Sequence, residues 1–138
     1  MKRKKVDTGR LAFEIQEKCP FVLFAVLTGF DSENQLPVEK NLEISIYLDP
    51  GTLFIVGLEK VLPVVVKAVP DFFCEIIIIN QIDIDSRFKA ACGHPFFIRA
   101  GNEALYKRFV SRAVFDYRVK CAGIRVRELR GFREGRVR

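Results

Sequence analysis

Residues 21–27, Phe-Val-Leu-Phe-Ala-Val-Leu, form an unbroken apolar, β-prone run that ends at Thr28 and Gly29. A strand with no polar residue has to be covered on both faces, so helices must pack on either side of the sheet that contains it. Residues 74–79 repeat the pattern as Cys-Glu-Ile-Ile-Ile-Ile, with Glu75 the single acidic interruption. By alternation Glu75 points with Ile77 and Ile79, which is costly unless it lies at the strand mouth or meets a cation such as Lys40 or Lys67. Between these runs Leu42, Ile44, Ile46 and Leu48 alternate with Glu43, Ser45, Tyr47 and Asp49. That period of two predicts a third strand with Asn41, Glu43 and Ser45 on one face.

Helical spacing fills the intervals. Leu11, Ala12, Ile15 and Cys19 predict a helix capped by Asp7 or Thr8 and ended by Pro20. Residues 31–40 are polar and read as a loop. Asp49-Pro50-Gly51-Thr52 fits either a hairpin into residues 53–56 or a loop leading to a helix capped by Thr52. Leu58, Leu62 and Val65 or Val66 continue a helical pattern in which Pro63 implies a kink or break. Ser86 starts a short helix, Gly93-His94-Pro95 interrupts the chain, and residues 96–99 form a brief edge strand. Asn102 caps the longest helix, whose wide apolar stripe comprises Leu105, Tyr106, Phe109, Val110, Ala113, Val114, Tyr117 and Cys121. Lys107, Arg108 and Arg112 lie opposite as a solvated face. The expected architecture is α/β (α+β), a small mixed twisted sheet with flanking helices.

At 138 residues the chain holds one domain, and 49% hydrophobic residues exclude global disorder. The net charge of +6 is unevenly placed. Residues 118–138 carry eight basic side chains against Glu128 and Glu134, and Lys2, Arg3, Lys4 and Lys5 add four, which leaves residues 6–117 at −4. The division expected is therefore a folded domain over 1–122 and a basic C-terminal extension over 123–138. Gly123, Gly131 and Gly135 fit a helix poorly, so the extension is expected to be mobile or ordered by a partner. Cys19, Cys74, Cys92 and Cys121 have no CxxC spacing and His94 is the single histidine, which argues against zinc and for buried reduced thiols. With no Ser or Cys at motif spacing to His94, a hydrolase triad has no support. No apolar run approaches the ~20 residues of a membrane span, and a cytoplasmic protein is expected.

Residues 22–29, the strand with its terminal glycine, are followed without a gap in register by Asn41-Leu42-Glu43 on the next strand and by Glu75 at the start of a later one. The pattern resembles the minimal nucleotidyltransferase (MNT) domains of the DNA polymerase β-like superfamily, whose strand ends in Gly-Ser and whose next strand carries Asp-x-Asp. Residues 49–54 and 56–59 resemble the loop and helix after that strand, which favours the helix over the hairpin. Residues 93–99 and the helix ending at Phe115-Asp116-Tyr117-Arg118 resemble the terminal strand and helix.

The resemblance implies transfer of a nucleoside monophosphate from ATP, with Mg²⁺ held by carboxylates because hard divalent ions take oxygen ligands. It assigns the catalytic and metal positions to Asn41, Glu43 and Glu75 and the nucleotide-binding positions to Gly29 and Phe30. Departures are consistent: Phe30 stands for the serine, Asn34 for the second loop glycine and Lys40 for the serine before Asp-x-Asp. Asn41 removes a charge, and the glutamates lengthen each carboxylate arm by a methylene. Misplacement by about 1 Å costs on the order of 100-fold in rate. The site is therefore expected to be vestigial, with Phe30 filling its pocket and no metal or nucleotide required.

Such domains are commonly paired with a HEPN-type helical ribonuclease as its antitoxin. The expected function is thus a catalytically inactive, protein-binding antitoxin-like partner of a HEPN-type protein, or a homo-oligomer, using the last helix's apolar stripe, Tyr117, and Arg125, Arg127, Arg130 and Arg133. Two alternatives stand beside it: an active Mg²⁺-dependent nucleotidyltransferase using ATP, and a nucleic-acid-binding module acting through the basic tail.

Overall fold

The computed structural model describes residues 3–29, 35–37 and 41–137, with side chains for 5–29 and 41–123. Asp7 opens α1 (Thr8–Lys18) by accepting a hydrogen bond from the Arg10 N–H at 3.0 Å. Three carbonyls near the C-terminal end of α1, those of Gln16, Cys19 and Val22, receive the Arg99 guanidinium at 3.4, 2.8 and 2.8 Å. The apolar run forms β2 (Val22–Thr28) and the alternating run forms β4 (Leu42–Leu48). α2 (Phe54–Ala68) crosses to β5 (Cys74–Ile78), and after a single 3-10 turn the chain forms α3 (Ile84–Ala91), β6 (His94–Ile98) and α4 (Glu103–Val137).

The main sheet has the order β5-β4-β2-β6, with β4 and β5 parallel and the other two pairings antiparallel. It is a mixed sheet covered on both faces, as the apolar runs require. Ala25, Leu27, Leu42, Ile44, Ile46 and Ile78 pack with Leu11 and Ile15 of α1 and Val61 and Val65 of α2. On the opposite face Phe24, Val26 and Ile79 meet Ala90 of α3 and Phe109 of α4. Phe24 is the hub of that second core, with ring centroids 4.9 Å from Tyr47, 5.2 Å from Tyr106 and 5.3 Å from Phe109.

Asn80 terminates β4 by imitating a further strand residue: its Nδ2 donates to the Leu48 carbonyl at 2.7 Å and its Oδ1 accepts from the Leu48 N–H at 2.8 Å. Gly57 and Gly93 are close-approach positions. A Cβ on Gly93 would lie 2.6 Å from the Leu27 carbonyl and 2.9 Å from Thr28 Cγ2, so only glycine lets the turn after α3 pass against the end of β2.

Several expectations are corrected. The segment 31–40 is not all loop, because Gln35–Pro37 forms β3, antiparallel to β1 (Arg3–Lys5). Thr52 does not cap α2; Leu53 occupies that position without a side-chain hydrogen bond. Pro63 lies inside α2 without breaking it, so of the kink or break expected only the break is excluded. Asp83, not Ser86, caps α3, accepting from the Ser86 N–H at 2.8 Å and its hydroxyl at 3.0 Å. His94 begins β6 rather than a turn. α4 continues through Gly123 to Val137, so the C-terminal extension has a helical backbone; glycine costs about 1 kcal/mol in a helix and does not by itself end one. Of the thiols, only Cys19 is fully buried, Cys74 is half-buried, and Cys92 and Cys121 are exposed. Among the described residues no helix is long and apolar enough to cross a membrane.

Candidate functional site

β4 is an interior strand. Its register places Glu43 opposite Thr28 on one side and opposite Glu75 on the other. Partners on one rung project from the same face, so Thr28, Glu43 and Glu75 form a row across three strands on the α3/α4 side of the sheet. Gly29 follows Thr28 with φ +82°, a left-handed conformation that glycine adopts without strain, and a Cβ there would meet nothing within 4 Å. Asn41, two residues before Glu43, is exposed. The structure therefore brings Gly29, Asn41, Glu43 and Glu75 to one end of the sheet, as the sequence pattern requires.

The chemistry of the row differs from the expectation in its partners. Thr28 is buried, and its Oγ1 donates to Glu43 Oε2 at 3.0 Å. Lys89, in the last turn of α3, places Nζ 2.9 Å from Oε2 and 3.3 Å from Oε1 of the same carboxylate. The glutamate side chain is 23% exposed and the lysine 60%. Glu75 is exposed at the sheet edge and, among the described residues, makes no ion pair with Lys67; Lys40, the other expected cation, lies outside them. Lys89 was not legible as a site residue: it is 46 positions from Glu43, on a short helix whose packing alone brings it to the row. Thr28 carried a weak signal, as the hydroxyl at the strand end beside Gly29.

Phe30, Asn34 and Lys40 lie outside the described residues. So do the side chains of Arg125, Arg127, Arg130 and Arg133, whose backbone lies in α4. Tyr117 is half-exposed: its ring stacks on Phe88 at 3.9 Å and 9°, and Cys121 beside it pushes the phenol pKa up. The stripe of α4 that was expected to dock a partner is instead spent on the fold, with Phe109 and Ala113 buried against the sheet and α3. Lys120 binds both carboxylate oxygens of Asp85 at 2.9 Å, which joins α4 to α3 by a second route.

A divalent metal is the group that the sequence resemblance implies, and the donor set among the described residues does not fit it. A hard dication requires several oxygen ligands with compensating negative charge. Here Asn41 is neutral, both Glu43 oxygens are taken by an ammonium, and no group of three potential ligands is assembled among the described residues. Elsewhere, a cavity of ≈550 Å³ lies at the opposite end of the sheet between Tyr47, Pro50, Phe54, Asn80 and Ile82. The Asn80 amide in it is already engaged by Leu48, so the cavity offers little acid–base chemistry.

No known family profile matches the sequence. No curated protein matches it either. Solved structures do match in fold. A mutant of the MntA toxin–antitoxin pair superposes with a TM-score of 0.67 at 10% identity, covering 88% of this chain and 94% of that one. The chain has the MNT nucleotidyltransferase fold. A toxin–antitoxin structure with AMP-PNP gives 0.64 at 12% identity over 88% of this chain and 94% of that one. A Shewanella oneidensis complex of tri-AMPylated HEPN toxin with MNT antitoxin gives 0.59 at 12% identity over 86% and 90%. In this chain the Thr28–Glu43–Glu75 row lies at the end of β2 and the starts of β4 and β5.

Proposed function

We propose that this MNT-like protein is an antitoxin-like binding partner of a HEPN-type helical protein and that it no longer transfers nucleotides. One observation carries the second half of this reading: the Glu43 carboxylate is bound by Lys89 and Thr28 in place of a metal. Support for the first half comes from the matched structures, which are toxin–antitoxin complexes. A surface for protein contact is available on α2. Ile55, Leu62 and Val66 are exposed there at spacings that put them on one helical face, and a contiguous apolar patch marks a contact site. That surface replaces the α4 stripe as the docking face of this reading.

The test is affinity capture from the source lysate with the full chain as bait, followed by assay of the captured protein. The reading expects a HEPN-type ribonuclease whose RNA cleavage falls when the chain is added back, and capture weakened at least tenfold by Leu62→Asp with Val66→Asp. Recovery of no HEPN-type protein, or of one whose ribonuclease activity the chain leaves intact, counts against it.

A further inference from the structure

We propose that Lys89 acts as a tethered cation, filling with its own ammonium the charge-neutralising position that a metal ion takes in a nucleotidyltransferase cleft. The geometry is specific. Nζ reaches both oxygens of Glu43, at 2.9 and 3.3 Å, while Thr28 Oγ1 holds Oε2 from the neighbouring strand at 3.0 Å. The carboxylate thus has a cation and a hydroxyl donor among its partners.

Covalent attachment gives the ammonium a high local concentration, in the millimolar range typical of short tethers, so a free ion must displace it as well as bind. Its charge also repels an incoming dication, and with Lys89 60% exposed the surrounding solvent only partly screens that repulsion. Glu75, opposite Glu43 on the neighbouring strand, adds a second carboxylate that an ion could share once the lysine is removed. Lys89 thus offsets, from within the chain, the charge of Glu43, one of the two carboxylates in the row. The inference rests on reading this row as the nucleotidyltransferase cleft and is independent of which partner the protein binds.

Mn²⁺ binding to the full-length protein, followed by electron paramagnetic resonance of the free ion, tests it directly. The wild type should bind no tighter than a Glu43→Gln, Lys89→Met double variant. Lys89→Met, which keeps most of the aliphatic stem, should bind at least about fivefold tighter than wild type, the factor set by losing an ion pair of about 1 kcal/mol. Lys89→Arg keeps the charge and should show no gain. Mn²⁺ binding by the wild type equal to that of Lys89→Met overturns the proposal. So does a gain in Lys89→Met that survives Glu43→Gln, or an equal gain in Lys89→Arg. Loss of partner capture bears on the antitoxin reading alone, since Lys89→Met leaves the α2 surface unchanged.

Discussion

The Thr28 hydroxyl donates to Glu43 Oε2 at 3.0 Å across the antiparallel rung that sets these residues opposite one another. One strand thereby fixes the carboxylate of the next in the orientation in which Lys89 meets it. Thr28→Val keeps the shape and removes the donor, and a hydrogen bond of this kind contributes about 1 kcal/mol. Urea unfolding should show that loss in the wild-type background and a smaller one in Glu43→Ala, giving a coupling of roughly 0.5–1 kcal/mol in a double-mutant cycle. Strictly additive effects contradict the bond.

Asn80 closes β4 by engaging both the N–H and the carbonyl of Leu48. Asn80→Ala leaves two partly buried backbone groups without partners and should destabilise by about 2 kcal/mol in chemical denaturation. Asn80→Asp should be at least as damaging, because it replaces the donor facing the Leu48 carbonyl with an oxygen. An unchanged midpoint for Asn80→Asp refutes this role.

The acid sensitivity of α3 follows from its cap. Hydrogen bonds from the Ser86 N–H and hydroxyl hold the Asp83 carboxyl below the usual aspartate value of 3.8. A folded-state pKa below the unfolded one adds stability that is fully present above the unfolded value and lost as pH falls through the folded one. The stability advantage of wild type over Asp83→Asn should therefore be constant from neutral pH down to about pH 5 and shrink below about pH 4. Denaturation midpoints across that range check this, and an advantage that grows on acidification contradicts it.

How much of this was legible in the sequence depends on the range of the forces involved. Residues 21–27 and 74–79 announce strands covered on both faces because apolar burial leaves a local pattern, and the sheet confirms it. Register is not local: the positions of Gly29, Glu43 and Glu75 were legible only through the resemblance to the MNT strand pattern, and the pairing of β4 with β5 sets Glu43 opposite Glu75. Gln35–Pro37 escaped notice because three residues including a proline carry too little pattern to mark a strand. The Lys89–Glu43 pair escaped for a different reason: its partners meet only after α3 packs on the sheet, and neither residue's neighbours in sequence record that contact. The apolar stripe of α4 was visible, but pattern alone does not tell a core face from a docking face; the burial of Phe109 and Ala113 decides it.

We propose that the MNT-like fold persists without nucleotidyl transfer. The most direct measurement is incubation of the purified chain with α-³²P-labelled ATP and Mg²⁺, in the presence and absence of a HEPN-type protein, followed by quantification of label transferred to protein. The account predicts label no greater than in the reaction lacking the chain. Mg²⁺-dependent labelling that disappears in Glu43→Ala would contradict it.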